Sequence, residues 1–268
     1  MSLVTRIALS ALARPARHAF GPDPSQVADL HVPAGPGPFP VAVLLHGGYW
    51  QPRYGKLVMR PVAADLARRG FAAWNVEYRR LGTGRGGGGG WPATFEDVAA
   101  GIDALAGLGD PRLDLERVGV VGHSAGGQLA LWAAGRPGLP AGAPGTAPRV
   151  GLRVAVALAP VSDLAAAGGI ARALMGGGPG DVPERYRQAD PVRRVPLPLP
   201  VLLVHAADDA TVSVARSREY ARLAVAQGGD VALVEPPTGG HRAPIDPTTP
   251  AWAAAAEWLG TAVPAAVA

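Results

Sequence analysis

A chain of 268 residues fits one α/β domain, large enough to bury roughly three-quarters of the surface its unfolded form would expose. A hydrophobic fraction of 48% excludes wholesale disorder, and the absence of cysteine excludes disulfides and thiolate nucleophiles. The net charge of +4 comes from scattered arginines, with Lys56 the only lysine, and no basic run or interleaved aromatic stripe marks a nucleic-acid groove.

Leu3–Leu12 is apolar but interrupted by Thr5 and Arg6, and it is too short for a membrane span. Arg14 and Arg17 follow the apolar run, whereas a secretion signal carries its charges in front. The expectation is an amphipathic lead-in or first helix of a cytoplasmic protein that binds neither membrane nor nucleic acid. Residues 13–40 are rich in Pro, Gly and Asp, with Gln26–Val32 a first strand. Val41–Leu45 is an all-apolar run, the pattern of a strand buried on both faces, and it ends in His46-Gly47-Gly48-Tyr49-Trp50. A helix over Pro61–Arg69, stopped by Gly70, leads to a strand over Phe71–Tyr78. Seven glycines in nine residues, Gly82–Gly90, then read as a floppy surface loop or, as the lesser alternative, a mobile rim over a pocket with Trp91 at its tip.

Thr94 is expected to cap a helix through Phe95, Val98, Ile102 and Leu105. Asp110–Arg117 reads as a loop into the next strand, and Gly138–Pro148 as a connection to a strand over Val150–Leu158. Residues 164–195 form a small cap-like insertion, part helical. Strand Val201–His205, helix Ser213–Gln227, strand Val231–Glu235 and helix Pro250–Leu259 close the chain. Strands and helices alternate, which predicts a mostly parallel central sheet with helices on both faces and no second domain.

The stretch Val118–Ala130 runs an apolar strand into Gly122-His123-Ser124-Ala125-Gly126 and then straight into a helix. A serine at so sharp a turn crowds the residues two before and two after it, and glycine at both places removes the clash. The helix that follows aims its unpaired N–H groups and positive dipole end at the same point. A serine hydroxyl is a poor nucleophile at neutral pH and needs a histidine base oriented by a carboxylate. Reactive groups on such sheets gather at the carboxyl ends of strands, and hydroxyl, carboxylate, imidazole is the chain order of an α/β-hydrolase arrangement.

The carboxylate candidates are Asp209, then its neighbour Asp208, then Asp163 after the preceding strand. Only His241, in a Thr-Gly-Gly-His loop after the last strand, follows Asp208 and Asp209. His46, His123 and His205 are expected to orient backbone or fill space beside the site, and His18 and His31 carry no signal. Two N–H donors complete the set, one from Ala125 and one from Gly47 or Gly48, where the backbone can approach a substrate closely.

Together these residues resemble the α/β-hydrolase superfamily over about residues 25 to 260. His46-Gly47-Gly48-Tyr49-Trp50 with Lys56, and Gly122-His123-Ser124-Ala125-Gly126-Gly127, look like the kynurenine formamidase (arylformamidase) and bacterial esterase branch. The Asp209-to-Val212 spacing followed by Ser217 and Tyr220 is similar to prolyl-oligopeptidase-like catalytic domains. The chain departs from these patterns at Ala206, where Gly is usual, at Ser213, where Pro is usual, and at Arg242, where an aromatic is common. The resemblance implies acyl transfer through an acyl-Ser124 intermediate, with His241 as base and Asp209 holding the imidazolium, and with no metal or organic cofactor. An oligopeptidase would carry a large accessory domain, for which this chain leaves no room, so a small ester or aryl-formamide substrate is expected. Tyr49, Trp50, Trp91 and Met175 are candidate pocket walls. Ester hydrolysis ranks first, N-formylkynurenine hydrolysis second, and a non-catalytic binding protein that kept the fold third.

Overall fold

The computed structural model describes residues 15–263. The expected lead-in over Leu3–Leu12 lies outside the described residues. The strands are β1 (Ala16–Ala19), β2 (Val27–His31), β3 (Phe39–Leu45), β4 (Ala72–Val76), β5 (Leu113–His123), β6 (Val154–Leu158), β7 (Val201–Val204) and β8 (Val231–Val234). They form one sheet in the order β1-β2-β4-β3-β5-β6-β7-β8. β1 and β2 pair antiparallel, as do β2 and β4, and every other pair is parallel.

The helices are α1 (Arg60–Arg68), α2 (Ala93–Asp103), α3 (Ala125–Ala134), α4 (Gly169–Met175), α5 (Pro183–Ala189), α6 (Val214–Ala226) and α7 (Pro250–Ala262). Because side chains alternate along a strand, each central strand feeds two cores. Val41, Val43 and Leu45 of β3 join Phe95 and Val98 of α2, Leu129 of α3 and Tyr220 of α6 on one face. Ala42 and Leu44 join Val62 and Leu66 of α1 and Trp252 and Leu259 of α7 on the other. The two-sided burial explains why these strands carry continuous apolar runs.

The register sets the site. Leu45 lies opposite Gly122, His123 opposite Leu158, Leu158 opposite Val204, and Val204 opposite Val234. The parallel strands therefore end together, and the loops after β3, β5, β6, β7 and β8 meet along one edge of the sheet.

Several local expectations differ from the structure. β1 is an added edge strand, held by backbone pairing and largely exposed. Asp110–Arg117 is not all loop: β5 begins at Leu113, whose side chain is buried, and pairs with Phe39 before an irregularity at Pro40/Val41. Thr94 lies inside α2 and does not cap it. Its Oγ1 accepts from Gly90 N–H (2.9 Å) and donates to Arg79 O (2.7 Å). Gly82–Gly90 is a set of interlocked turns rather than a loose loop, with Arg80 N–H on Gly86 O (2.8 Å), Gly88 N–H on Gly82 O (2.8 Å) and Gly89 N–H on Arg80 O (2.6 Å). Among the described residues no helix is long and apolar enough to cross a membrane.

Candidate active site

Ser124 sits between β5 and α3 with φ 55° and ψ −118°, a conformation that L-residues rarely adopt. Backbone bonds hold it on both sides. Its N–H donates to Leu158 O (2.8 Å), and its carbonyl accepts from Gln128 N–H (3.1 Å) and Val161 N–H (3.2 Å). The turn closes only because of glycine: a Cβ on Gly126 would stand 2.1 Å from Leu45 O and 2.4 Å from His46 O. The α3 dipole thus begins at the Ser124 hydroxyl, with Ala125 N–H at its first turn.

Residues 46–50 wrap the end of β3 beside it. Gly48 (φ 123°), Tyr49 (φ 55°) and Trp50 (φ 52°) all lie at positive φ, so this turn also stores strain. Beneath it the buried His46 ring stacks on Tyr78 at 4.3 Å, and Tyr78 OH donates to His46 O (2.6 Å). Glu77, directly after β4, ties the layer together. Its Oε1 lies 2.7 Å from His46 Nε2, its Oε2 accepts Lys56 N–H (3.0 Å), and Arg80 pairs with it.

The three candidate carboxylates separate cleanly. Asp209 Oδ2 accepts from His241 Nδ1 (2.7 Å) and His205 Nε2 (3.1 Å), while Oδ1 accepts from Thr211 N–H (2.7 Å) and Val212 N–H (3.0 Å). Burial alone pushes the Asp209 carboxyl up, but the His241 hydrogen bond and the two backbone N–H groups hold it below the ordinary aspartate value. Asp208 serves the loop instead, accepting from Gly239 N–H (3.1 Å) and Gly240 N–H (2.7 Å), the two residues before His241. Asp163 pairs with Arg216 (3.2 Å) and accepts from Ala166 N–H (2.9 Å).

His205 lies under the carboxylate, its Nδ1 2.8 Å from Ser217 Oγ. Burial lowers its pKa, so the neutral ring donates from Nε2 toward Asp209 and Val212 O (2.9 Å) and accepts from the Ser217 hydroxyl. His123 is also neutral: burial first, then the nearby His241, push it down to about 3. Its Nε2 donates to His241 O (2.8 Å), and the two rings stand 4.7 Å apart. The Asp209 contact uses His241 Nδ1, so Nε2 is the ring nitrogen that this bond does not engage.

Two cavities flank Ser124. One, about 340 Å³, is walled by His241, Arg242, Tyr54, Val58 and Gly47–Gly48. The other, about 320 Å³, is walled by Trp50, Val161, Ile170, Val212 and the Asp163–Arg216 pair. Tyr49, Ser124 and Thr211 line both. Among the described residues no group of side chains could hold a metal ion.

Residues 28–223 match the BD-FAE family model. The chain belongs to the BD-FAE family. No curated protein sequence matches it. Among solved structures it is similar to a truncated carbohydrate esterase from gut microbiota (TM-score 0.79, 19% identity, 93% of this chain and 97% of that one). It is also similar to esterase B from Lactobacillus rhamnosis with a C4-C4 SN3 tributyrin phosphonate (TM-score 0.78, 20% identity, 97% of this chain and 90% of that one). A bifunctional GH43-CE protein from Bacteroides eggerthii aligns over 92% of this chain (TM-score 0.77, 21% identity), which spans only 35% of that larger protein. The likeness establishes the α/β-hydrolase fold for this BD-FAE member.

Two expected pocket residues line neither cavity. Met175 is fully buried at the end of α4 and belongs to the core. Trp91 packs its ring on Phe95 at 5.0 Å and donates its backbone N–H to Leu174 O (2.7 Å), so α4 covers it. Packing against Phe95 of α2 and the core turns both inward. Tyr49 and Trp50 do line the cavities. Sequence reasoning missed Glu77, Tyr54 and Thr211, and it named Ser217 only as part of a family pattern, without its contact to His205. For Glu77 a signal was available, since a carboxylate directly after a buried strand stands at the edge where the site assembles.

Proposed function

We propose that this BD-FAE member is a serine hydrolase that cleaves small carboxylic esters, with Ser124 as nucleophile, His241 as general base and acid, and Asp209 as the group that orients and stabilises the imidazolium. The observation that carries the reading is that the strained Ser124 turn and the Asp209-bonded His241 line one cavity. Ser124 Oγ bonds to the ester carbonyl carbon while its proton passes to His241 Nε2. The carbonyl oxygen becomes an oxyanion beside Ala125 N–H and the N–H groups of Gly47 and Gly48, and no cofactor is called for. When the C–O bond breaks, the leaving oxygen takes the proton from His241. Water, deprotonated by the same nitrogen, then bonds to the acyl carbon, and the Ser124 Oγ–acyl bond breaks as His241 returns the proton to Oγ, releasing the acid.

This proton path orients the substrate. The leaving group must lie within reach of His241 Nε2, hence in the cavity that His241 lines, and the acyl group lies on the Trp50 side. We assign residues 164–195 as a small cap-like insertion whose Ile170 bounds the acyl side. An acyl space of about 320 Å³, and the esterase names of the similar structures, favour short acyl chains. We assign the enzyme to the cytoplasm, since a chain without cysteine needs no oxidising compartment; its recovery from a periplasmic or secreted fraction would reverse that.

The test is a panel of p-nitrophenyl acetate, butyrate and octanoate with Ser124→Ala as control, together with fluorophosphonate labelling. Turnover and labelling should both vanish in the variant, and persistence of either would refute Ser124 as nucleophile. A second reading, arylformamidase, is favoured by Tyr49, 40% exposed at the mouth of both cavities, which offers an aromatic face to an aryl amide. A kcat/KM for N-formylkynurenine about tenfold above that of every ester would make it the first.

A further inference from the structure

The cavities on either side of Ser124 differ in charge. The Trp50 side carries both signs, because Arg216 is paired with Asp163. On the His241 side Arg242 is the only permanently charged residue in the lining, since burial keeps His123 neutral. Arg242 is exposed, and among the described residues no carboxylate pairs with it. A second guanidinium adds to the same field: Arg53 lies over the Tyr54 ring, 5.0 Å from its centroid, and it too has no carboxylate partner among the described residues. Arg242 in the lining, with Arg53 over a tyrosine that lines the same cavity, attracts an anion, and a guanidinium offers paired donors that match a carboxylate or phosphate.

We propose that the His241-side cavity is an anion-selective leaving-group site, taking esters whose alcohol or phenol carries a carboxylate or phosphate held by Arg242, with Arg53 drawing it in. The inference rests on the serine-hydrolase reading, because the need to protonate the leaving oxygen from His241 is what puts the leaving group on this side. Tyr49 and Tyr54 then face the body of that group, and its anionic substituent reaches the cavity rim.

Three acetyl esters test it: 4-acetoxybenzoate, 4-acetoxyphenyl phosphate and the neutral 4-acetoxybenzamide. They share an acyl group and differ in the charge of the phenol released. The expected result is a kcat/KM about fivefold higher for at least one anion than for the amide, the scale of an ion pair at the upper end of the exposed range. The two anionic esters tell a carboxylate preference from a phosphate one. Arg242→Leu should bring the ratio to about one, Arg242→Lys should keep part of it, and added salt should shrink it in the wild type. Fluorophosphonate labelling of each variant shows that fold and nucleophile survive. A ratio near one in the wild type, or one that survives Arg242→Leu, overturns the proposal while leaving the hydrolase reading intact. No turnover of any ester and no labelling ends both.

Discussion

Asp209→Asn separates orientation from simple packing. The asparagine fills the same volume and its oxygen can still accept from Thr211 and Val212 N–H, now at 2.7 and 3.0 Å. Its NH2, however, takes the place of Oδ2 and confronts two donors, His241 Nδ1 at 2.7 Å and His205 Nε2 at 3.1 Å. His241 can restore a bond only by moving its proton to Nε2, which makes that nitrogen useless as a base toward Ser124. The imidazolium that forms during attack also loses its counter-charge. Turnover should therefore fall on the order of 10³–10⁴, and stability by about 1.5–3 kcal/mol for the lost charge-assisted bonds. Initial rates on p-nitrophenyl acetate and urea unfolding measure the two effects separately. Asp208→Asn disturbs only the N–H contacts of Gly239 and Gly240 and should lose less than about tenfold, the loss of positioning alone. A fall of less than about tenfold in Asp209→Asn, or equal losses in both variants, would refute the assignment of Asp209 to His241.

Glu77→Ala frees His46 Nε2 and Lys56 N–H from their acceptor, so the Gly47–Gly48 turn loosens; kcat should fall at least about tenfold, with KM little changed, and the opposite split in a kinetic titration would show Glu77 to be a substrate contact instead. Gly126→Ala drives a Cβ to 2.1 Å from Leu45 O, against backbone that cannot swing away, so loss of about 3 kcal/mol or of soluble protein is expected; a wild-type urea midpoint would contradict the close approach. Asp190 is buried, and desolvation raises its pKa from 3.8 to about 6, so the folded state holds its proton more tightly and stability is lost as pH rises from about 4 to about 6. Asp190→Asn should equal the wild type near pH 4 and exceed it by up to about 3 kcal/mol above pH 7, roughly two pH units at 1.36 kcal/mol each; a pH-independent difference between the two unfolding curves would exclude this.

The central sheet was legible because its strands are buried on both faces: Val41–Leu45, Val118–Val121 and Val201–Val204 cannot hide their apolar character. β1 was not, since Ala-Arg-His-Ala lies at an exposed edge and is held by backbone bonds that any sequence can make. The Ser124 turn could be read because backbone crowding dictates its glycines locally. The partner of His241 could be ranked but not fixed, because Asp208 and Asp209 are adjacent and only the direction of each side chain separates a loop anchor from a histidine acceptor. Trp91 and Met175 went astray for the complementary reason: whether an aromatic or a methionine in or beside a loop faces a cavity or a core depends on what packs over it, here α4. The place of Glu77 at the end of a buried strand was legible, but its acceptor role was not, since it depends on His46 and Lys56, thirty-one and twenty-one residues away.

Asp209 and Asp190 show why burial by itself does not identify a working carboxylate. Both side chains are fully buried, and for both desolvation is the largest influence, pushing toward the neutral acid. Asp190 meets that push with Leu164 N–H at 2.8 Å on one oxygen and Arg193 at only 3.4 Å from the other, and it ends up high. Asp209 meets it with four donors within 3.1 Å, two from backbone and two from imidazoles, and it ends up low. The difference lies in the donors that the β7–α6 turn supplies to Asp209, together with the deeper burial of Asp190 and the neighbouring Asp163 carboxylate, which pushes Asp190 up further. A carboxylate that must stabilise an imidazolium has to be anionic before the proton arrives, and the turn ensures this with groups that cannot themselves lose a proton near neutral pH: the Thr211 and Val212 amides and a neutral His205. That is also why His205 stays beside the site without competing for the base role. Its burial keeps it uncharged, and its Nε2 hydrogen is spent on Asp209 and Val212 O, whereas His241 lines the cavity with Ser124, as the base of the proposed mechanism must.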